Sequence, residues 1–196
     1  MKNYPIIVLS MKKILLSTLL ISSFLTLSSC GDKKGGRNDL SETEEVEKDS
    51  TKGLVVTLEC VFTKNDHFQL FYSNDTNFLE ENSITIPVYG QCVVQDIAFE
   101  LPEGKKPQNL RLDLGSNAEQ QFISIKNISI EYRNKIILNG ENEKYLDYFP
   151  ESSTVVYNPQ KLNFELKNNL EGIFDPIMFS NDNLKKVLNK VYNETK

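Results

Sequence analysis

Tryptophan is absent from this chain, histidine occurs once, as His67, and the three cysteines form no Cys-x-x-Cys pair. Protein-held zinc and iron–sulfur sites draw on several Cys or His ligands, so no metal site is expected. No Gly-x-Ser-x-Gly elbow, phosphate loop or Gly-x-Gly-x-x-Gly fingerprint occurs either, which removes the commonest hydrolase and nucleotide signatures. The adjacent acids Glu80 and Glu81 stand next to Asn82. They read as a solvated turn, not as two glycosidase carboxylates about 5–9 Å apart across a cleft. Positive charge is scarce too: 22 basic residues face 27 acidic ones, a net −5. Nucleic acid needs a basic face and is therefore not expected as a partner. These absences predict a protein that is not an enzyme and carries no cofactor.

What the chain does contain begins at its N-terminus. Met11-Lys12-Lys13 is followed by an apolar run from Ile14 to Leu25, and then by Leu27-Ser28-Ser29-Cys30-Gly31. A membrane-spanning helix needs about 20 apolar residues, and Lys12 and Lys13 interrupt the apolar stretch over 6–27. A positive start, a short apolar core and small residues before a cysteine form a signal-peptide pattern. Over residues 27–30 it resembles the lipobox of bacterial lipoproteins. That resemblance implies cleavage before Cys30, diacylglycerol on its thiol as the lipid attachment, and acylation of the new amino terminus. Several chains matter because each buried methylene contributes about 0.8 kcal/mol and one chain holds only marginally. Met11 is the natural start of the positive segment, with Met1 as the alternative start. The implied location is the bacterial cell envelope, lipid-anchored to a membrane, with the periplasmic and surface-facing leaflets both open.

Residues 1–29 are thus expected to be a lipoprotein signal peptide and 30–52 a lipidated disordered tether. Over 31–52 only Leu40 and Val46 are sizeable apolar residues, too few to bury a core. Those 22 residues reach about 25 Å as a flexible coil. Loss of Lys2, Lys12 and Lys13 with the signal takes the 22 basic residues to 19 against 27 acidic, a net −8. Such a chain is not drawn to anionic lipid by charge, so the lipid on Cys30 must do the anchoring.

From Gly53 the apolar pattern turns to period two. Val56, Leu58, Cys60 and Phe62 share one face, and Phe68, Leu70 and Tyr72 share another after a turn at Lys64-Asn65-Asp66. Ile84 to Val88 reads as a strand that Pro87 pushes to an edge. Alternation continues through Ile97-Phe99-Leu101, Leu110-Leu112-Leu114 and Ile123-Ile125. It resumes at Ile128-Ile130-Tyr132 with the phase shifted at Lys126-Asn127, which predicts a bulge. Further strands are expected over 135–138, 154–157, 162–166 and 172–179. Many short strands punctuated by Asn, Gly and Pro predict a mostly-β fold, an antiparallel β-sandwich over 53–179. Leu184, Val187, Leu188, Val191 and Tyr192 then follow a helical spacing. Residues 180–196 are expected to form a short amphipathic α-helix, capped by Ser180 and docked on the sandwich. Cys60 and Cys92 are a candidate disulfide, closing a loop of 33 residues; the alternative is two small buried side chains that never meet.

Several segments in order carry a second resemblance: Phe68-Gln69-Leu70-Phe71-Tyr72, Phe99-Glu100-Leu101-Pro102, Leu110-Arg111-Leu112-Asp113-Leu114-Gly115, Ile123-Ser124-Ile125, Ile128-Ser129-Ile130 and Asp175-Pro176. Over 54–179 they are similar to jelly-roll-like β-sandwich domains of bacterial envelope proteins. Such domains accompany membrane glycosyltransferases and other polysaccharide-related proteins, and resemble carbohydrate-binding modules in architecture. The resemblance implies a jelly-roll-like sandwich and a carbohydrate-related role.

Sugar platforms are usually aromatic rings among polar groups. The candidates are Phe71, Phe78 and Tyr89, facing outward near strand ends. Arg111 and Asp113 lie on one strand face opposite the leucines, either as a polar grip for a ligand or as a simple ion pair. The loop Ser73-Asn74-Asp75-Thr76-Asn77 offers oxygens to calcium but lacks the acid spacing of a dedicated loop, and its residues are ordinary turn formers. Two functions are therefore expected as alternatives. One is a membrane-anchored, non-catalytic module for envelope or dietary glycan. The other is a structural or assembly lipoprotein that binds another envelope protein through a sheet edge or the C-terminal helix.

Overall fold

The computed structural model describes residues 53–194; the expected signal peptide, the Cys30 attachment site and the tether over 1–52 lie outside the described residues. In chain order the strands are β1 (Leu54–Phe62), β2 (Asp66–Ser73), β3 (Ser83–Val88), β4 (Gln91–Glu100) and β5 (Asn109–Asp113). They continue as β6 (Phe122–Tyr132), β7 (Lys135–Asn139), β8 (Val155–Asn158), β9 (Asn163–Leu166) and β10 (Ile177–Phe179), before the single described α-helix, α1 (Asp182–Glu194). Two antiparallel sheets result. One runs β4-β1-β6-β9-β8 with β7 also on β6, and the other runs β10-β5-β2-β3. This is the expected antiparallel β-sandwich with a C-terminal helix.

Period-two alternation is what allows two sheets to close on one another, because it sends every second side chain to the same face. In β1, Leu54, Val56, Leu58, Cys60 and Phe62 are all buried, while the residues between them are half-exposed. Phe68, Leu70 and Tyr72 of β2 and Leu110 and Leu112 of β5 meet them from the second sheet in one hydrophobic cluster. Burying such a side chain contributes about 1.5–3 kcal/mol. The expected bulge lies at Lys126, which is skipped between the pairs Glu59↔Asn127 and Cys60↔Ile125. The extra residue restores the inward phase, so Ile125 and Ile128 are both buried. β3 is an edge strand, where Pro87, opposite His67, needs no ladder N–H on its outer side.

The helix belongs to the same core: Leu184, Leu188 and Tyr192 are buried within the common cluster. The Tyr192 hydroxyl donates to the Pro107 carbonyl at 3.1 Å, and its ring meets Tyr132 edge-on at 5.2 Å. The cap differs from expectation. Asn181, not Ser180, accepts from the N–H groups of Asn183 at 2.9 Å and Leu184 at 3.4 Å. Ser180 instead extends the ladder onto β5, its Oγ accepting from the Leu110 N–H at 2.8 Å. The strand expected over 172–179 is shorter, starting at Ile177. Ahead of it the Asn169 side chain closes a turn by accepting from the Glu171 and Ile173 N–H groups, each at 3.0 Å.

Cys60 and Cys92 are both free, one buried and the other exposed. β4 pairs with β1 through Cys60↔Gln95 and Phe62↔Gln91. Cys92, Val93 and Val94 therefore lie in a bulge of the edge strand while Cys60 points into the core. The candidate disulfide is thus not formed. Of the alternative, separation holds, but only Cys60 is a buried hydrophobe.

A side chain that the alternation does not reveal holds the β1–β2 corner. Gln120 is buried, and its Oε1 accepts from the N–H groups of Thr63 and Lys64, both at 2.8 Å. Its Nε2 donates to the Phe122 carbonyl. Gln120→Ala removes the acceptor of two part-buried backbone donors, and each such bond contributes about 0.5–1.5 kcal/mol. The expected result in urea unfolding is a lower midpoint with an unchanged slope, equivalent to about 1–3 kcal/mol; a midpoint within error of the parent contradicts it.

Candidate outer-face cleft

Among the described residues, the sequence-nominated ones concentrate on the outer face of the β10-β5-β2-β3 sheet. Cross-strand register sets Phe179, Arg111, Phe71 and Ser83 in one row, and Ile177, Asp113, Gln69 and Thr85 in the next. Residues in such rows stand close enough for side chains to pack directly. The Arg111 guanidinium lies over the Phe71 ring at 3.9 Å and near the Phe78 ring at 5.5 Å. Phe78 leans on Phe179 with centroids 5.9 Å apart. Planar guanidinium on an aromatic face combines cation–π attraction with stacking.

Arg111 is also gripped in its own strand. Its Nε and Nη2 donate to the two Asp113 carboxylate oxygens, each at 2.8 Å, a fork-to-fork pair that leaves Nη1 outside it. Burial lifts the Asp113 carboxyl above its ordinary range against the pull of Arg111, and Asp175 and Glu80 add to the rise. The pair is thus electrically closed, with Arg111 held rigid as part of a floor.

Above that floor the loop over 73–79 and Asn82 form the wall of an open cleft of about 640 Å³ with Arg111 and Phe179 at its base. The loop is tied down at several points. Asp75 accepts from the Ser73 hydroxyl at 2.8 Å and the Asn77 N–H at 2.7 Å, and its carboxyl is held below its usual range, chiefly by that Asn77 bond. Asn109 Nδ2 donates to the Asp75 carbonyl at 2.8 Å, and the Gln108 N–H to the Ser73 carbonyl at 3.0 Å. The Ser73 hydroxyl and the Asp75 carboxylate, two of the groups offered to calcium, are therefore engaged with their own loop. Among the described residues no group of three His, Cys, Asp or Glu is placed to hold a metal ion.

The five nominated residues divide. Phe71, Phe78, Arg111 and Asp113 are brought together, whereas Tyr89 is 64% exposed beyond Val88, at the opposite end of β3 from the Phe71↔Ser83 pair. Phe71 faces outward as expected but is only 4% exposed, because Arg111 covers it. It is a support rather than a platform. The ring presented to solvent is Phe179, 47% exposed, which sequence reasoning did not nominate. Its only signal was its place at the end of a strand, since the register that sets it beside Arg111 joins segments far apart in the chain. Comparison with protein-family models, curated proteins and solved structures finds no match to this chain.

Proposed function

We propose that this protein is a membrane-anchored lipoprotein whose β-sandwich is a non-catalytic binding module for envelope or dietary glycan, held in the outer-face cleft. The observation that carries the reading is the Phe71–Arg111–Phe78–Phe179 stack beneath a wall of Ser, Thr and Asn side chains. Sugar rings present apolar C–H faces and peripheral hydroxyls, and this floor and wall offer the matching chemistry. Rigid placement supports it further, because a preformed site loses little ordering entropy on binding. The lipid on Cys30 would set the module at the membrane surface, with the tether providing reach.

The test is a glycan array probed with the full-length chain in a non-ionic detergent, alongside Phe179→Ala and Tyr89→Ala. Binding to a defined glycan that falls at least about tenfold (1.4 kcal/mol) in Phe179→Ala and is unchanged in Tyr89→Ala supports the cleft. Loss in Tyr89→Ala alone, or no binding by the folded chain, counts against it.

The second reading, a structural or assembly lipoprotein that binds another envelope protein, draws on the edge strand β4. Its bulge exposes Val93 by 57% and Val94 by 52%, and unpaired strand edges recruit further strands. The helix offers no such surface, since its apolar stripe is spent on the core.

A further inference from the structure

A second, smaller pocket of about 180 Å³ opens at the end of the sandwich, lined by Tyr72, Pro107, Lys105 and Lys106 together with Ser73, Asn74 and Asn82. The last three also line the glycan cleft, so the two spaces meet across one corner of the same loop. Their charges are opposite in character. Lys105 Nζ stands over the Tyr72 ring and Lys106 Nζ over the Tyr192 ring, each at 5.8 Å, and neither is in an ion pair among the described residues. Aromatic faces hold the two ammonium groups without neutralising them. The carboxylates sit on the other side: Asp75 lines the larger cleft, and Asp113 is closed by Arg111 beside it. Glu103, the acid nearest the lysines in sequence, lines neither space.

Two adjacent uncompensated cations in a chain of 27 acids and 22 bases are a focused anion site, since a concave wall concentrates their field. We infer that this pocket receives an anionic substituent (phosphate, sulfate or carboxylate) on the same glycan whose ring occupies the neighbouring cleft. The inference rests on the glycan reading above and adds the ligand's class and direction: sugar face on Phe179 and Arg111, negative group toward Lys105 and Lys106. Ser73, Asn74 and Asn82 between them supply neutral hydrogen-bonding groups to the linking hydroxyls.

The experiment compares matched polysaccharide pairs against the full-length chain in detergent: polygalacturonate and its methyl ester, phosphomannan and mannan, dextran sulfate and dextran. Inorganic phosphate alone is a further arm. The Lys105→Gln/Lys106→Gln variant removes both charges and leaves neutral polar side chains in their place, with its melting temperature checked against the parent. The expected result is that the charged member of one pair binds at least about tenfold tighter (1.4 kcal/mol) at low salt. That preference vanishes in the double variant and shrinks as salt rises. Equal binding of charged and neutral members, or a preference that survives in the folded double variant, overturns the inference while leaving the cleft reading intact. Phosphate alone binding as tightly as the charged glycan overturns it as well, in favour of a free-anion site. Failure of every glycan, neutral and charged, overturns both.

Discussion

Arg111→Ala is expected to lower the stability of the domain by about 2–4 kcal/mol at pH 7. Removing one member of a buried ion pair costs about 3–5 kcal/mol because the survivor keeps its charge without a partner. The range here is lower because the Arg111 and Asp113 side chains retain 21% and 16% of their exposure. The variant also uncovers the Phe71 ring, against which the guanidinium stacks at 3.9 Å. Acid should reverse part of the loss. Burial already raises the Asp113 carboxyl, and without Arg111 it rises further. Folded Arg111→Ala then binds a proton more tightly than the unfolded chain does, so its deficit is full at neutral pH and shrinks as pH falls through that raised value. Asp113→Asn leaves the Arg111 guanidinium without its carboxylate and is expected to cost a similar amount at pH 7, with no recovery in acid because arginine keeps its charge at every pH used. Urea unfolding of parent and variants at pH 7 and pH 4 checks this. An Arg111→Ala deficit that is absent, or equal at both pH values, contradicts it.

The second large effect is alkaline. Burial, with a smaller contribution from Asp96, pushes the Cys60 thiol from 9.0 up to about 12. Burial likewise raises the Tyr145 and Tyr192 hydroxyls, which donate to the Ile125 and Pro107 carbonyls. In the unfolded chain these groups lose their protons at ordinary values, so rising pH stabilises the unfolded state first. Stability therefore falls as pH climbs above 9, and Cys60 alone contributes on the order of 4 kcal/mol by pH 12, at 1.36 kcal/mol per unit. That is a large part of the 5–15 kcal/mol typical of a domain. Melting temperatures in a series from pH 8 to 12 should drop steeply above pH 9, and less steeply in Cys60→Ala once its own cavity cost at pH 8 is subtracted. A flat profile to pH 11.5 contradicts the burial of all three groups.

The sandwich was legible because alternation is local: Leu54 to Phe62 and Leu110 to Leu114 declare an inner face without reference to any partner. The bulge was legible for the same reason, as a phase slip at Lys126-Asn127. Polar side chains that work at a distance were not. Gln120 holds a corner 56 residues away at Lys64, and nothing in Gln120-Gln121-Phe122 marks which glutamine turns inward. Ser180 and Asn181 are equally good caps by composition; the choice falls to Asn181 because the ladder to Leu110 claims Ser180.

The site was half legible. Arg111 and Asp113 announce themselves as two charges on one strand face, and Phe71 as an aromatic out of phase with its core neighbours. Phe179 enters only through the β10–β5 register, and Lys105 and Lys106 only through the packing of their turn against Tyr72 and Tyr192. Tyr89 met every local criterion and still lies at the far end of the sheet.

The central claim is that glycan binds in the outer-face cleft, and the most direct measurement is backbone amide NMR mapping of the full-length chain in detergent during titration with an array-selected glycan. The account predicts saturable shifts confined to the loop over 73–82, to 109–113 and to 177–179, with α1 and the β4 bulge unmoved. Shifts centred on Cys92, Val93 and Val94, or on α1, with the cleft silent, would contradict it.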